Sequence, residues 1–137
     1  MPSRREARIL AVQALYSWEM TGAPQDRLLE FRWRKDEWES KELLFPALLL
    51  RGTLERIEDI DGAIKRHLKG WDFSRLQVVD RAILRVATYE ILYQQDVPAS
   101  VAINEAVEIA KDYSSEDAFR FINGVLDGIW HEVGSTA

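Results

Sequence analysis

From Ser74 to about Gln95 the chain is apolar on nearly every side of a helix. Val79, Ile83 and Val86 make one stripe, and Leu84, Ala87 and Ile91 make another. A helix of that kind has almost no face to give to water, so other helices must enclose it. Its polar strip is narrow, Gln77, Arg81, Arg85 and Thr88, and Ser74-Arg75-Leu76-Gln77 has the form of a capping box at its start. Glu90 falls in line with Ile83, on an apolar side. A buried carboxylate needs a partner, so the expectation is an arginine or a backbone donor from another helix, or only partial burial.

The rest of the chain supplies the enclosing helices. Ser3-Arg4-Arg5-Glu6 is a second capping box, opening a helix that runs to about Met20 and stops at Gly22. Ile9, Val12, Tyr16 and Met20 share one face, widened by Leu10, Ala14 and Leu15. Gly22 to Ser40 reads as a turn at Ala23-Pro24-Gln25-Asp26 and a short helix near Leu28 to Arg34. There Phe31, Trp33 and Trp38 interleave with Arg32, Arg34 and Lys35, a mixture that can stack on single-stranded nucleic acid. Asp36, Glu37 and Glu39 cancel most of the charge, which favours aromatics packed on the core. Lys41 to Glu58 is amphipathic, with Leu44, Ala47, Leu48, Thr53, Leu54 and Ile57 able to face in and Pro46 in its first turn. Asp59 or Asp61 then caps a shorter helix ending at Gly70, and His67 and His131 read as solvated.

Pro98 to Trp130 reads as two helices joined by a tight turn. Ser100 can cap the first, and Ser114-Ser115-Glu116-Asp117 resembles a capping box for the second. In the second, Ala118, Ile122, Val125 and Ile129 form one stripe, with Asp117, Phe121, Gly124 and Gly128 beside it. Each glycine inside a helix costs about 1 kcal/mol against alanine, so two on one stripe need a reason. Either another helix packs closely there, or the stripe is a shallow floor with Phe121 as an aromatic platform and Asp117 as an acceptor at its rim.

Other features bound the function. The 137 residues are 47% hydrophobic with five Trp, enough for one domain with a core. Cysteine is absent, which excludes disulfides and thiolate chemistry and fits a reducing cytoplasm. The longest apolar run, Leu43 to Leu50, is broken by Pro46 and too short to cross a bilayer. No Gly-rich phosphate loop and no metal-ligand spacing are present, and the carboxylates are dispersed, so neither an enzyme nor a cofactor is expected. The net charge of −5 argues against gripping nucleic acid by bulk charge. Yet Arg4, Arg5 and Arg8 sit at a helix N-terminus, where cations oppose the helix dipole. That conflict points to an anionic partner, or else to a flexible solvated start. Capping signals at Ser3, Ser74, Ser100 and Ser114, with no sustained period-2 run, predict an all-α fold with a boundary near Gly70 to Ser74.

VAINEAVEIAK followed by ED-x-x-x-FINGVLD is similar to the C-terminal signature of the NusB family of transcription antitermination factors. SRREARILAVQALYSWEM resembles the family's N-terminal helix, and D-R-A-x-L-R-x-A-x-Y-E from Asp80 to Glu90 resembles it again. The resemblance covers nearly the whole chain and is weakest from about Gly22 to Phe45. It implies a single NusB-like helical bundle of two small subdomains, about 1–70 and about 71–137. It further implies a cytoplasmic factor that, with the small-subunit ribosomal protein NusE, binds the single-stranded boxA element of nascent RNA. Such a factor keeps RNA polymerase processive, notably through ribosomal RNA operons. By the same resemblance Arg4, Arg5 and Arg8 meet RNA phosphates, though Glu6 stands where some relatives carry another basic residue. Asp117 and Phe121 would lie at the RNA surface near the arginine-rich start, and Asp80 at the NusE interface. The alternatives are an RNA-positioning module related to the N-terminal domain of an RNA cytosine methyltransferase, and a purely protein–protein helical adaptor.

Overall fold

The computed structural model describes residues 2–135. Among these there are seven α-helices and no strand: α1 (Arg4–Thr21), α2 (Gln25–Leu28), α3 (Leu44–Glu55), α4 (Ile57–Lys65), α5 (Val78–Tyr93), α6 (Ala99–Tyr113) and α7 (Ala118–Ser135). Short 3-10 turns at Ser40–Leu43 and Phe73–Arg75 lead into α3 and α5. The helix without a wet face is the axis of the molecule. Every residue from Asp80 to Glu90 is buried, and α1, α3, α4, α6 and α7 all pack against α5.

The polar strip of α5 is buried too, because neighbouring helices bring acids to it. Arg85 grips Asp61 of α4 with two parallel bonds, Nε–Oδ1 at 2.8 Å and Nη2–Oδ2 at 2.9 Å. Arg85 and Arg81 both also donate to Glu19 of α1. Arg81 Nη1 reaches the carbonyls of Phe73, Ser74 and Leu76, fixing the turn before α5. Glu90 finds the arginine it needs on α1. Arg8 Nε donates to Oε2 at 2.9 Å and Nη2 to Oε1 at 2.8 Å, with 4% of Arg8 and 1% of Glu90 exposed.

Burial alone would raise the Glu19 carboxyl, but its hydrogen bonds and charge contacts with Arg81 and Arg85 outweigh this and hold it below the usual range. An acid depressed in the folded state stabilises the fold above its unfolded pKa, and that contribution is lost as pH falls through the folded value. Glu19→Gln should therefore lower the melting temperature at neutral pH. The gap from wild type should close as melts are repeated down to about pH 3.

Several local expectations shift. The capping box at Ser3 is formed, and Gly22 ends α1 in the left-handed region at φ 70. In contrast, α5 starts at Val78 behind Gln77 with no side-chain cap, α6 starts at Ala99 behind Pro98, and α4 starts at Ile57, so that Asp59 and Asp61 lie inside it. Ser74 donates its N–H to Asp72 instead of capping α5. Ser114 ends α6 and gives its hydroxyl to Asp80.

The inward face of α1 is Leu10, Ala11, Ala14 and Leu15 with Val12, while Tyr16 and Met20 are 43% and 56% exposed. α1 is wedged between α3 and α5, and small residues let both approach. α3 is likewise rotated from its expected face. Leu49, Leu50, Gly52 and Thr53 are inside, and Leu44 and Leu48 line an open groove beside Arg4, Phe45 and Val101. A Cβ on Gly52 would overlap the Tyr89 ring, so this crossing of α3 and α5 requires glycine. In the segment before α3 the only α-helix is α2. Phe31 is fully buried at φ 49, and the Trp33 indole donates to Gln13 at 2.9 Å, so these aromatics anchor the loop to the core.

Candidate nucleic-acid interface

The arginine-rich start offers two surface cations, not three. Arg4 is exposed, its guanidinium 4.0 Å above the Phe45 ring. Arg5 is exposed and pairs with Glu105 of α6 at 2.5 Å, a bond that raises its pKa further. Arg8 is corrected to a core residue. Position 8 lies on the inward side of α1 with Ala11 and Leu15, and its guanidinium is spent on Glu90. Glu6 closes the capping box, accepting the Ser3 N–H at 3.0 Å.

Asp117 and Phe121 stand elsewhere. α1 and α5 run antiparallel, since Arg8 meets Glu90 while Glu19 meets Arg81. Arg4 and Arg5 therefore lie by the C-terminal end of α5, and Asp117 and Phe121 line a cleft at its N-terminal end with Asp80. At 1.5 Å per residue the two places are roughly 20 Å apart along the bundle. The expectation that they adjoin is corrected.

At the second place the structure builds a site that the sequence reading left incomplete. Phe121 is half-buried, and its ring meets Trp71 edge-on at 6.0 Å and 65°. Trp71, 63% exposed, leans from the loop between α4 and α5. On one side of this pair is a cleft of about 420 Å³, lined by Trp71, Arg75, Gln77, Asp80, Asp117 and Phe121. On the other is a hollow of about 180 Å³ bordered by Lys69, Arg120 and Gly124. Lys69, Arg75 and Arg120 are exposed, and no ion pair engages them among the described residues. The signal available for Trp71 was its position: an aromatic just after Gly70, in a polar linker with no helix face of its own.

The α7 glycines divide. A Cβ on Gly128 would come within 2.5 Å of the His67 ring, so that glycine serves helix packing. A Cβ on Gly124 would meet nothing within 4 Å. Gly124→Ala should raise thermal stability, by up to about 1 kcal/mol of helix propensity. If nucleic acid lies against the helix backbone here, the same change lowers RNA affinity; melts and RNA titrations of the one variant read both.

Asp80 is 8% exposed at the cleft floor and accepts the Ser114 hydroxyl. Burial pushes its carboxyl up, and the Ser114 bond only partly offsets this. Asp80 thereby ties the α6–α7 turn to the start of α5.

Beside that cleft, the fold as a whole is an all-helical bundle around one buried helix. Solved structures share it. NusB from T. maritima superposes with a TM-score of 0.86 at 38% identity, covering 96% of this chain and 92% of that one. The antitermination factors NusB and NusE in complex with dsRNA include a chain matching with a TM-score of 0.84 at 28% identity, over 94% of this chain and 96% of that one. The chain belongs to the NusB family, whose profile matches residues 5–130. The transcription antitermination protein NusB of Treponema pallidum (strain Nichols) is 48% identical over 128 residues, 92% of this chain and 91% of that protein. No helix of the described residues is long and apolar enough to cross a membrane.

Proposed function

We propose that this protein is a cytoplasmic antitermination factor. With NusE it binds boxA-type single-stranded RNA in nascent transcripts, ribosomal RNA above all, and keeps RNA polymerase processive. The observation that carries this reading is the Trp71–Phe121 cleft with its unpaired rim of Lys69, Arg75 and Arg120. Aromatic faces for bases beside cations for phosphates are the two components of a single-strand site.

The Arg4–Arg5 end extends the same track. At one phosphate per 3.4 Å of strand, roughly 20 Å corresponds to about six stacked nucleotides. Arg5 can exchange Glu105 for a phosphate at little cost, because an exposed ion pair is worth only about 0–1 kcal/mol. With few free cations on an acidic protein, RNA affinity alone is weak and salt-sensitive. NusE raises it by bringing its own contacts to the same strand. Asp80 bears on NusE binding through the α6–α7 turn it holds in place.

The test is a pull-down with the tagged protein from a bacterial lysate, with and without ribonuclease. NusE and boxA-containing RNA should be retained, and ribonuclease should release the RNA. Retention of neither contradicts the reading.

A further inference from the structure

On the outward side of α1, apart from the Trp71–Phe121 cleft, lies a hollow of about 360 Å³. Trp33, from the loop before α3, and Tyr113, the last residue of α6, both line it, and they are 39% and 50% exposed. Neither belongs to the motifs that carry the family resemblance. Trp33 is fixed in place. Its indole donates to Gln13 at 2.9 Å, and its ring meets the fully buried Phe31 edge-on at 5.5 Å. A ring held in this way gives up little freedom when a ligand stacks on it. Arg34 spends Nη1 on the carbonyls of Glu30 and Phe31. Lys35 stands on the rim, exposed and in no ion pair among the described residues. Glu6 and Asp36 line the same hollow, so its charges nearly cancel and a lone phosphate finds little to hold it. What the hollow offers is ring surface.

Its place in the bundle decides what it fits. α1 and α6 run parallel: Arg5 pairs with Glu105, and eight residues further along each helix Gln13 and Tyr113 line the hollow. At 1.5 Å per residue that is about 12 Å from Arg5. Past Tyr113 the chain passes at once to Ser114, which donates to Asp80 in the Trp71–Phe121 cleft. The hollow therefore lies between the two ends of the strand track, about three to four nucleotides from Arg5 at 3.4 Å each. We propose that Trp33 and Tyr113 form a separate stacking seat for single-stranded RNA, midway along that track. Every base has a flat face, so the seat takes bases without reading sequence. Lys35 meets the backbone beside it. Stacking supplies this grip, so it resists salt, whereas the phosphate contacts of Arg4 and Arg5 weaken as salt rises.

This seat rests on the RNA-binding reading above, and its test separates the two. Binding of a boxA-type single-stranded RNA is titrated with NusE present, at several salt concentrations, for wild type, Tyr113→Ala, Tyr113→Phe and Lys35→Ala. Tyr113→Ala should weaken binding about fivefold or more at every salt concentration, with the loss recovered by Tyr113→Phe. Lys35→Ala should instead flatten the salt slope by about one contact. Trp33 also anchors its loop, so its part is read in the wild-type chain. Photoactivatable iodouracil replaces each uracil of the RNA in turn, and one position should crosslink to Trp33 or Tyr113. Wild-type affinity in Tyr113→Ala, or no crosslink to either ring, overturns the seat and leaves RNA binding standing. If Tyr113→Ala loses NusE affinity in the absence of RNA, the hollow is a protein contact and the seat is overturned. No binding of RNA by wild type overturns the RNA reading and the seat with it.

Discussion

Glu90→Ala should destabilise the protein by about 3–5 kcal/mol, as should Arg8→Ala. Each removes one member of a pair that is almost fully buried, 4% and 1% exposed, and leaves the other charge without water or partner. The hydrogen bonds between them tie α1 to α5 across 82 positions of sequence. The attraction is not itself the source of that cost, because taking both ions out of water already offsets most of it. Arg8→Met combined with Glu90→Leu should therefore lie much closer to wild type than either single change. Urea denaturation of the two single variants and the double variant measures this directly. An Arg8→Ala protein that melts like wild type would return Arg8 to the surface and to the RNA.

Phe121→Ala should cost about tenfold or more in RNA affinity while leaving the bundle folded. A fully buried phenylalanine truncated to alanine loses about 3–5 kcal/mol. Phe121 is half-buried and packs only against the margin of the core, so its loss should be clearly smaller. Its side chain lines the cleft with Trp71 and Asp117. Removing it deletes a surface for a base at about 1–3 kcal/mol by alanine substitution. Melting and RNA titration of this variant are read together. A large fall in melting temperature with unchanged RNA affinity would retire Phe121 as a contact.

The helices were legible because their signals are local. The apolar sides of α5 announced its enclosure, and the Ser3 box and Gly22 marked both ends of α1. Rotation was less legible. Tyr16, Met20, Leu44 and Leu48 have the spacing of core residues, but α1 must serve α3 and α5 at once, and which stripe wins depends on where Gly52 lets α3 meet Tyr89. Periodicity gives a face; only the neighbours decide which face is inside. The same limit explains the site. Arg8 carries the same charge as Arg4 and Arg5, and only its partner across the bundle removes it from the surface. Glu90 could be seen to need a partner if buried, yet which partner was a tertiary fact. Trp71, Lys69 and Arg75 belong to a linker without periodicity and reach Phe121 only through the packing of α4, α5 and α7.

The central claim is an RNA grip that is weak alone and completed by NusE. Its most direct measurement is the affinity of the purified protein for boxA RNA and for a scrambled RNA of equal length. Both are titrated with and without NusE at several salt concentrations. The account predicts weak, steeply salt-dependent binding by the protein alone, at least about tenfold tightening by NusE, and a preference for boxA in the joint complex. Equal binding of the scrambled RNA, or no binding at low salt even with NusE present, would contradict it.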